Sequence, residues 1–215
     1  MSGNALVILG DVVGSRRMPG RRAFQGRLQD ALASVNESWR EDLHTPFTIL
    51  KGVDEVGGIL LSVAGLYRIF SRIGEGIHPA RIRWALVHGE VDTGLGTGEI
   101  TRMDGPAFHR AAGMMDGLKR SRLLFDMETG DPVADPLIAG AVNLLLFARE
   151  DWTEREREVQ GMYRDGKSQE EIAGSLGITQ QAVSQALRRI RWGETALIEA
   201  SLDGALRKYE EMRMR

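Results

Sequence analysis

The segment that most restricts how this chain can fold is residues 168–191, SQEEIAGSLGITQQAVSQALRRIR. Ile172, Ala173 and Leu176 recur at helical spacing before Gly177. Ile178, Val183, Ala186 and Leu187 follow at the spacing a second helix needs to pack on the first. Two short helices that cross steeply need a small residue where they touch, which Ala173 supplies. The turn between them needs a residue that tolerates positive φ, which Gly177 supplies. Thr179 is placed to cap the second helix, because its hydroxyl can accept an orphan backbone N–H. The segment therefore reads as a helix-turn-helix. Its outer face is left with Gln180, Gln181, Ser184, Gln185, Arg188 and Arg189, and Ser168 stands at the start of the first helix. These are side chains that hydrogen-bond base edges or phosphates in a major groove, so double-stranded DNA is the expected partner.

The alternative is an αα-hairpin that only packs and turns a polar face to water. Charge bears on the choice. From Asp151 to Arg215 there are 11 Lys and Arg against 12 Asp and Glu. Phosphate contacts supply most non-specific affinity, so one copy of this segment is expected to bind DNA weakly. Dimerisation, or a partner already on the DNA, would make up the difference.

The chain has 215 residues, a net charge of −2 and no cysteine, which removes disulfides and thiolate metal sites. That length suits one medium domain and one small one. The apolar runs ALVIL and AGAVNLLLFA are too short for a spanning helix. No membrane partner and a cytoplasmic location are the expectations.

The apolar residues 5–10, bounded by Gly10-Asp11, predict a buried central strand. Phe24, Leu28, Leu32, Val35 and Trp39 predict an amphipathic helix within residues 20–43, ended by Pro46. Two strands, 47–51 and 56–61, are joined by the turn Gly52-Val53-Asp54-Glu55. A helical period over residues 60–73, stopped by Gly74 and Gly76, precedes a strand at 81–87. The order β-α-β-β-α-β predicts an α/β (α+β) ferredoxin-like domain, an antiparallel sheet with helices on one face. A loop with Gly94, Gly96 and Gly98, a helix over 106–119 and a strand over 122–125 complete it. Residues 129–136 read as a linker. The expected domains are thus residues 1–130 and 136–215. The second opens on a helix at 136–149, continues through a capping box at Thr153 and Glu156, and ends in an amphipathic helix at 194–213 with Leu197, Ile198, Leu202, Leu206 and Tyr209.

Asp11 at the end of the first strand, with Asp54 and Glu55 at the hairpin tip, would meet at one edge of such a sheet. Carboxylates gathered there can hold a hard cation such as Mg²⁺. Gly14, Ser15 and Arg16 would offer backbone N–H groups and positive charge to a nucleotide phosphate. Acidic residues at strand ends also serve simply as solvated turn formers. Four scattered histidines without i,i+4 pairing make no zinc site.

Gly10-Asp-Val-Val-Gly-Ser15 and Gly105-Pro-Ala-Phe-His-Arg110 resemble signature segments of the SatD family. Trp152-Thr153, Ser168 to Ala173, Ala182-Val-Ser-Gln185 and Trp192 resemble that family's C-terminal portion. The resemblance implies a place in bacterial regulation and stress tolerance. More remotely, the N-terminal half is similar to class III nucleotidyl cyclases, in which two Asp residues bind two metal ions. Asp11 and Asp54 match those positions, and Gly89-Glu-Val91 and Gly105 to Ala112 resemble later segments. The departures weigh more. His109 stands where the cyclases place a catalytic Asn, Gly113 where they place the transition-state Arg, and Val53 directly precedes Asp54. Without a cation opposite the developing phosphate charge, the chemical step loses its main support. The C-terminal part is similar to the helix-turn-helix domains of sigma factors and response regulators.

The expectation is a DNA-binding transcriptional regulator, a homodimer whose first domain is a catalytically degenerate, cyclase-like sensor of nucleotide or a dimerisation module. No catalytic residue is assigned. The alternatives are a divergent Mg²⁺-dependent nucleotidyl cyclase or phosphotransferase, and an adaptor whose helical domain binds protein.

Overall fold

The first strand, β1 (Gly3–Val12), forms the middle of a five-stranded sheet. The structure, a computed structural model, describes residues 2–52 and 54–213, and of Arg16 and Arg213 only the backbone. Val53 in the predicted hairpin turn therefore lies outside the described residues. β1 does not stop at Gly10. The ring of Trp84 crosses that position so closely that a Cβ there would lie 2.6 Å from it, and the glycine keeps the strand continuous to Val12.

After β1 come α1 (Arg21–Ser38), β2 (Leu43–Lys51), β3 (Glu55–Leu60), α2 (Leu66–Ile77) and β4 (Ile82–Val91). The sheet order is β2-β3-β1-β4-β5, and the first four strands pair antiparallel, as the βαββαβ pattern implies. The fold class is α+β. Several element bounds differ from the expectation. Pro46 does not end the first helical unit but lies inside β2, an edge strand whose register shifts around it, where a missing N–H costs no ladder bond. The helix expected at 60–73 begins only at Leu66, and Gly74 and Gly76 lie within it. A Cβ at Gly76 would meet that of Ala31 at 2.7 Å, so this glycine lets α1 and α2 approach rather than stopping the helix.

The helices do not share one face. α3 (Pro106–Ser121) connects β4 to β5 (Phe125–Glu128), which is parallel to it. Parallel neighbours need a crossover, and this one covers the face opposite α1 and α2. There Val7, Ile59, Ala85, Val87 and Val91 pack on Ala107, Ala111, Met115 and Leu118. On the other face Trp84 stacks on Phe70 of α2 at 5.0 Å and meets Phe47 edge-on at 5.8 Å. β5 starts three residues later than expected, because Arg122 closes α3 in a left-handed conformation.

The stretch read as a linker is built into the structure. Thr129 and Asp135 are buried, and the Asp135 carboxylate accepts Thr129 N at 2.7 Å and Thr129 Oγ1 at 2.6 Å. α4 (Ala134–Ala148) follows, and its buried Asn143 accepts from the amides of Leu124 and Phe125, closing the edge at β5. The chain divides at 143/144: one unit is Met1–Asn143 with Leu206–Arg215, the other Leu144–Ala205. Turn residues alone could not reveal that Thr129 has a buried carboxylate partner.

The second unit contains α5 (Glu154–Arg164), α6 (Gln169–Leu176) and α7 (Gln180–Arg189). They enclose Trp152, Val159, Ile172, Ala173, Val183, Leu187 and Ile190. α8 (Trp192–Arg213) is the last helix. Its Leu202, Leu206 and Tyr209 are buried, whereas Leu197 and Ile198, expected on the same apolar face, are exposed. Among the described residues no helix is long and apolar enough to cross a membrane.

Candidate nucleic-acid interface

The local chemistry of α6 and α7 follows the sequence closely. Ser168 caps α6 by accepting Glu171 N, and the Glu171 carboxylate returns the bond to Ser168 N at 2.7 Å. The bond from Ser168 N first, and then the Ser168 hydroxyl, hold the Glu171 carboxyl below its ordinary value. Gly177 ends α6 at φ 63°, and Thr179 Oγ1 accepts Ala182 N at 3.1 Å to start α7. Both predicted site residues Ser168 and Thr179 thus have a structural task at the two helix starts, and both remain exposed.

On α7, Val183 and Leu187 point into the core while Gln180, Gln181, Gln185 and Arg188 are exposed and Ser184 is half-buried. At 100° per residue, Gln181, Ser184, Gln185 and Arg188 fall within an arc of about 100°. Amide, hydroxyl and guanidinium groups are presented together there, all able to donate to acceptors on base edges. Arg189 turns away from that arc. Its Nε lies 3.3 Å from Glu156 Oε1 on α5, although its side chain is 77% exposed. Glu156 is the residue whose role sequence reading understated. Beyond closing the capping box with Thr153, it ties the last turn of α7 to the first turn of α5. The only signal was the box itself.

The acidic positions lie in the first unit. The strand end and hairpin do meet: Val12 N donates to Asp54 O at 2.8 Å, and Asp11 is paired across the ladder with Glu55. The Asp11 and Asp54 carboxylates each have their own partners. Asp11 Oδ2 accepts Arg83 Nη1 at 3.2 Å, and Asp11 Oδ1 lies 3.1 Å from Lys119 Nζ on α3. Asp54 Oδ2 accepts Ser15 Oγ at 2.8 Å, and Glu55 is exposed. Gly14 is left-handed at φ 71° and opens a three-residue 3-10 turn, Ser15–Arg17, where Ser15 is buried. The Arg16 side chain lies outside the described residues. Among those residues no group of three or more His, Asp or Glu side chains gathers to hold a metal. A magnesium ion at Asp11 would have to displace Arg83 and Lys119, so the donors as placed form an ion-pair network rather than a hard-cation cage. Arg83 was not foreseen, although alternation along β4 puts it on the face of Asp11.

His109 and Arg110, on the segment compared with cyclases, also have partners. His109 Nε2 lies 3.4 Å from Asp104 Oδ1, and Arg110 Nε lies 3.0 Å from Glu128 Oε1. Arg110 Nη2 donates to His88 O across Gly89, where a Cβ would collide with the guanidinium at 2.0 Å.

The SatD family model matches residues 5–191, from β1 through α7 and the residues just after it. The chain belongs to the SatD family. No curated protein matches it. In this SatD-family protein the matched range takes in both the sheet and the paired helices α6 and α7.

Proposed function

We propose that this SatD-family protein is a DNA-binding transcriptional regulator. α7 is the groove-reading helix, and the first unit is a catalytically degenerate, cyclase-like sensor or dimerisation module. One observation carries the reading: Gln181, Gln185 and Arg188 stand exposed on one side of α7, while Val183 and Leu187 anchor the other in the core. Gln185 and Gln181 are spaced to address successive bases, with Arg188 further along the same ridge. Helices capped at Ser168 and Thr179 hold those side chains on a rigid frame. A nucleotidyl cyclase or phosphotransferase is the less supported reading, because Asp11 is already matched by two cations.

The test is a band-shift titration of the full-length protein against a duplex pool, at salt from about 50 to 200 mM, where phosphate-contacting proteins lose affinity steeply. Gln181→Ala and Gln185→Ala should each cost roughly 1–3 kcal/mol on a selected site. Binding that is absent at low salt, or site preference unchanged in both variants, refutes the reading.

A further inference from the structure

At the end of β1 away from Asp11, the first unit has a cavity of about 300 Å³ that the ion-pair network does not reach. This lies at the small end of ligand-site volumes. Leu6, Leu60, Val63 and Leu95 give it an apolar wall, and Leu61 stands at it 57% exposed. An aliphatic side chain left this open beside a cavity gains by being covered. The polar lining is sparse, namely Asn4, the imidazoles of His44 and His88, and the Tyr209–Glu210 pair from α8. Among the described residues Glu210 is the one carboxylate that lines it, and no described Lys or Arg side chain does.

That carboxylate is held in place. Glu210 Oε2 accepts Ser62 Oγ at 2.6 Å and Oε1 accepts Val63 N at 3.2 Å. Tyr209 beside it is anchored by its hydroxyl to Thr129 and Asp135. A carboxylate has about four lone-pair positions, so two bonds from Ser62 and Val63 orient Glu210 without exhausting it. A fixed negative charge next to aliphatic walls selects a ligand with a positive, hydrogen-bond-donating head and an apolar body. An anionic head would face Glu210 with no Lys or Arg among the described lining residues to offset it. A metal ion is a poorer match, because no third ligand gathers among the described residues.

We infer that this cavity binds a small organic cation, a primary amine on a short apolar chain, with the ammonium on Glu210 and the chain on Leu6, Leu61 and Val63. The site stands or falls independently of whether α7 reads DNA. Isothermal titration of the full-length protein with n-hexylammonium, hexanoate and 1-hexanol tests it. Hexylammonium should bind saturably and about tenfold or more tighter than either other probe, the gain expected of one charge-assisted hydrogen bond. Glu210→Gln should remove that preference. Leu61→Lys, at an exposed position, should abolish amine binding while leaving the circular dichroism spectrum unchanged, and it decides the matter if Glu210→Gln fails to fold. Equal or tighter binding of hexanoate or hexanol overturns the proposal. So does a preference retained in a folded Glu210→Gln, or no saturable amine binding up to about 10 mM.

Discussion

Glu156 offers the sharpest test of how α7 is held. Its carboxylate is buried, with 7% of the side chain exposed, and accepts from Thr153 N and Thr153 Oγ1, each at 2.8 Å, and from Arg189 Nε at 3.3 Å. Two mechanisms could dominate, and their magnitudes differ. The capping box satisfies an otherwise orphaned amide at the start of α5, and losing such a cap costs about 0.5–2 kcal/mol. The ion pair joins Glu156 to an arginine that is 77% exposed, so solvent screening holds its worth to at most about 1 kcal/mol. Glu156→Ala should therefore cost about 1–2 kcal/mol and Arg189→Ala clearly less. Amide hydrogen exchange resolved on the α5 and α7 peptides is the assay, because it reads this unit locally. The expected acceleration is about 5- to 30-fold for Glu156→Ala. Thr153→Ala should match it, and the double variant with Glu156→Ala should cost little more than either alone, since both remove one box. If Arg189→Ala accelerates exchange as much as Glu156→Ala, the cap is not what holds α7, and the reasoning fails.

Three further outcomes follow from the first unit. Asp11→Asn removes the shared counter-ion of Arg83 and Lys119 and leaves Arg83, 16% exposed, without its charge partner, which should cost about 1–3 kcal/mol in urea denaturation. Lys119→Ala, where the partner is 47% exposed, should cost less than about 1 kcal/mol, and the reverse ranking would refute the assignment of Arg83 as the principal partner. Gly105 sits at φ 153° and a Cβ would lie 2.6 Å from Asp92 N, so Gly105→Ala should lower thermal stability markedly, and an unchanged melting temperature would contradict the close approach. Burial raises the Asp126 carboxyl above its ordinary value of 3.8, against the lowering by its bond from Met127 N, with Asp135 and Glu128 adding to the rise. The folded state then favours the protonated form. Its contribution is present in full below 3.8 and is lost as pH rises through the folded-state value. Asp126→Asn should therefore be more stable than the parent at pH 7, with the difference shrinking in acid, and a constant difference across pH would exclude the titration.

What could be read in the sequence was what is local. The caps at Thr153 and Thr179, the turn at Gly177 and the buried faces of α6 and α7 each involve residues within a few positions of one another, and the structure forms them as spaced. The antiparallel strand order was legible for a similar reason, since hairpins and the βαββαβ pattern leave few alternatives. The site at Asp11 was legible only as a place. Its chemistry depends on Arg83, 72 residues away, and on a lysine of the helix that crosses to the far face. Nothing in the motif Gly10-Asp-Val-Val-Gly distinguishes a carboxylate waiting for a cation from one already holding two.

The same limit applies to the element boundaries and to the cavity at Glu210. Gly10, Pro46, Gly74 and Gly76 look like punctuation because turns favour them. Three of the four lie where they do for a reason supplied by another element: the Trp84 ring over Gly10, the Ala31 methyl against Gly76, and the open edge beside Pro46. A residue chosen for a tertiary neighbour carries the same letter as one chosen for a turn, so local reading assigns it to the commoner cause. Glu210 is the extreme instance. In the sequence it is one acid in a charged terminal helix, and only the bond from Ser62, 148 residues earlier, turns it into an oriented charge beside an apolar wall. If that orientation is what recruits a ligand, Ser62→Ala should weaken hexylammonium binding while leaving hexanol unaffected. A loose carboxylate keeps its charge but loses the fixed geometry on which a directional hydrogen bond depends.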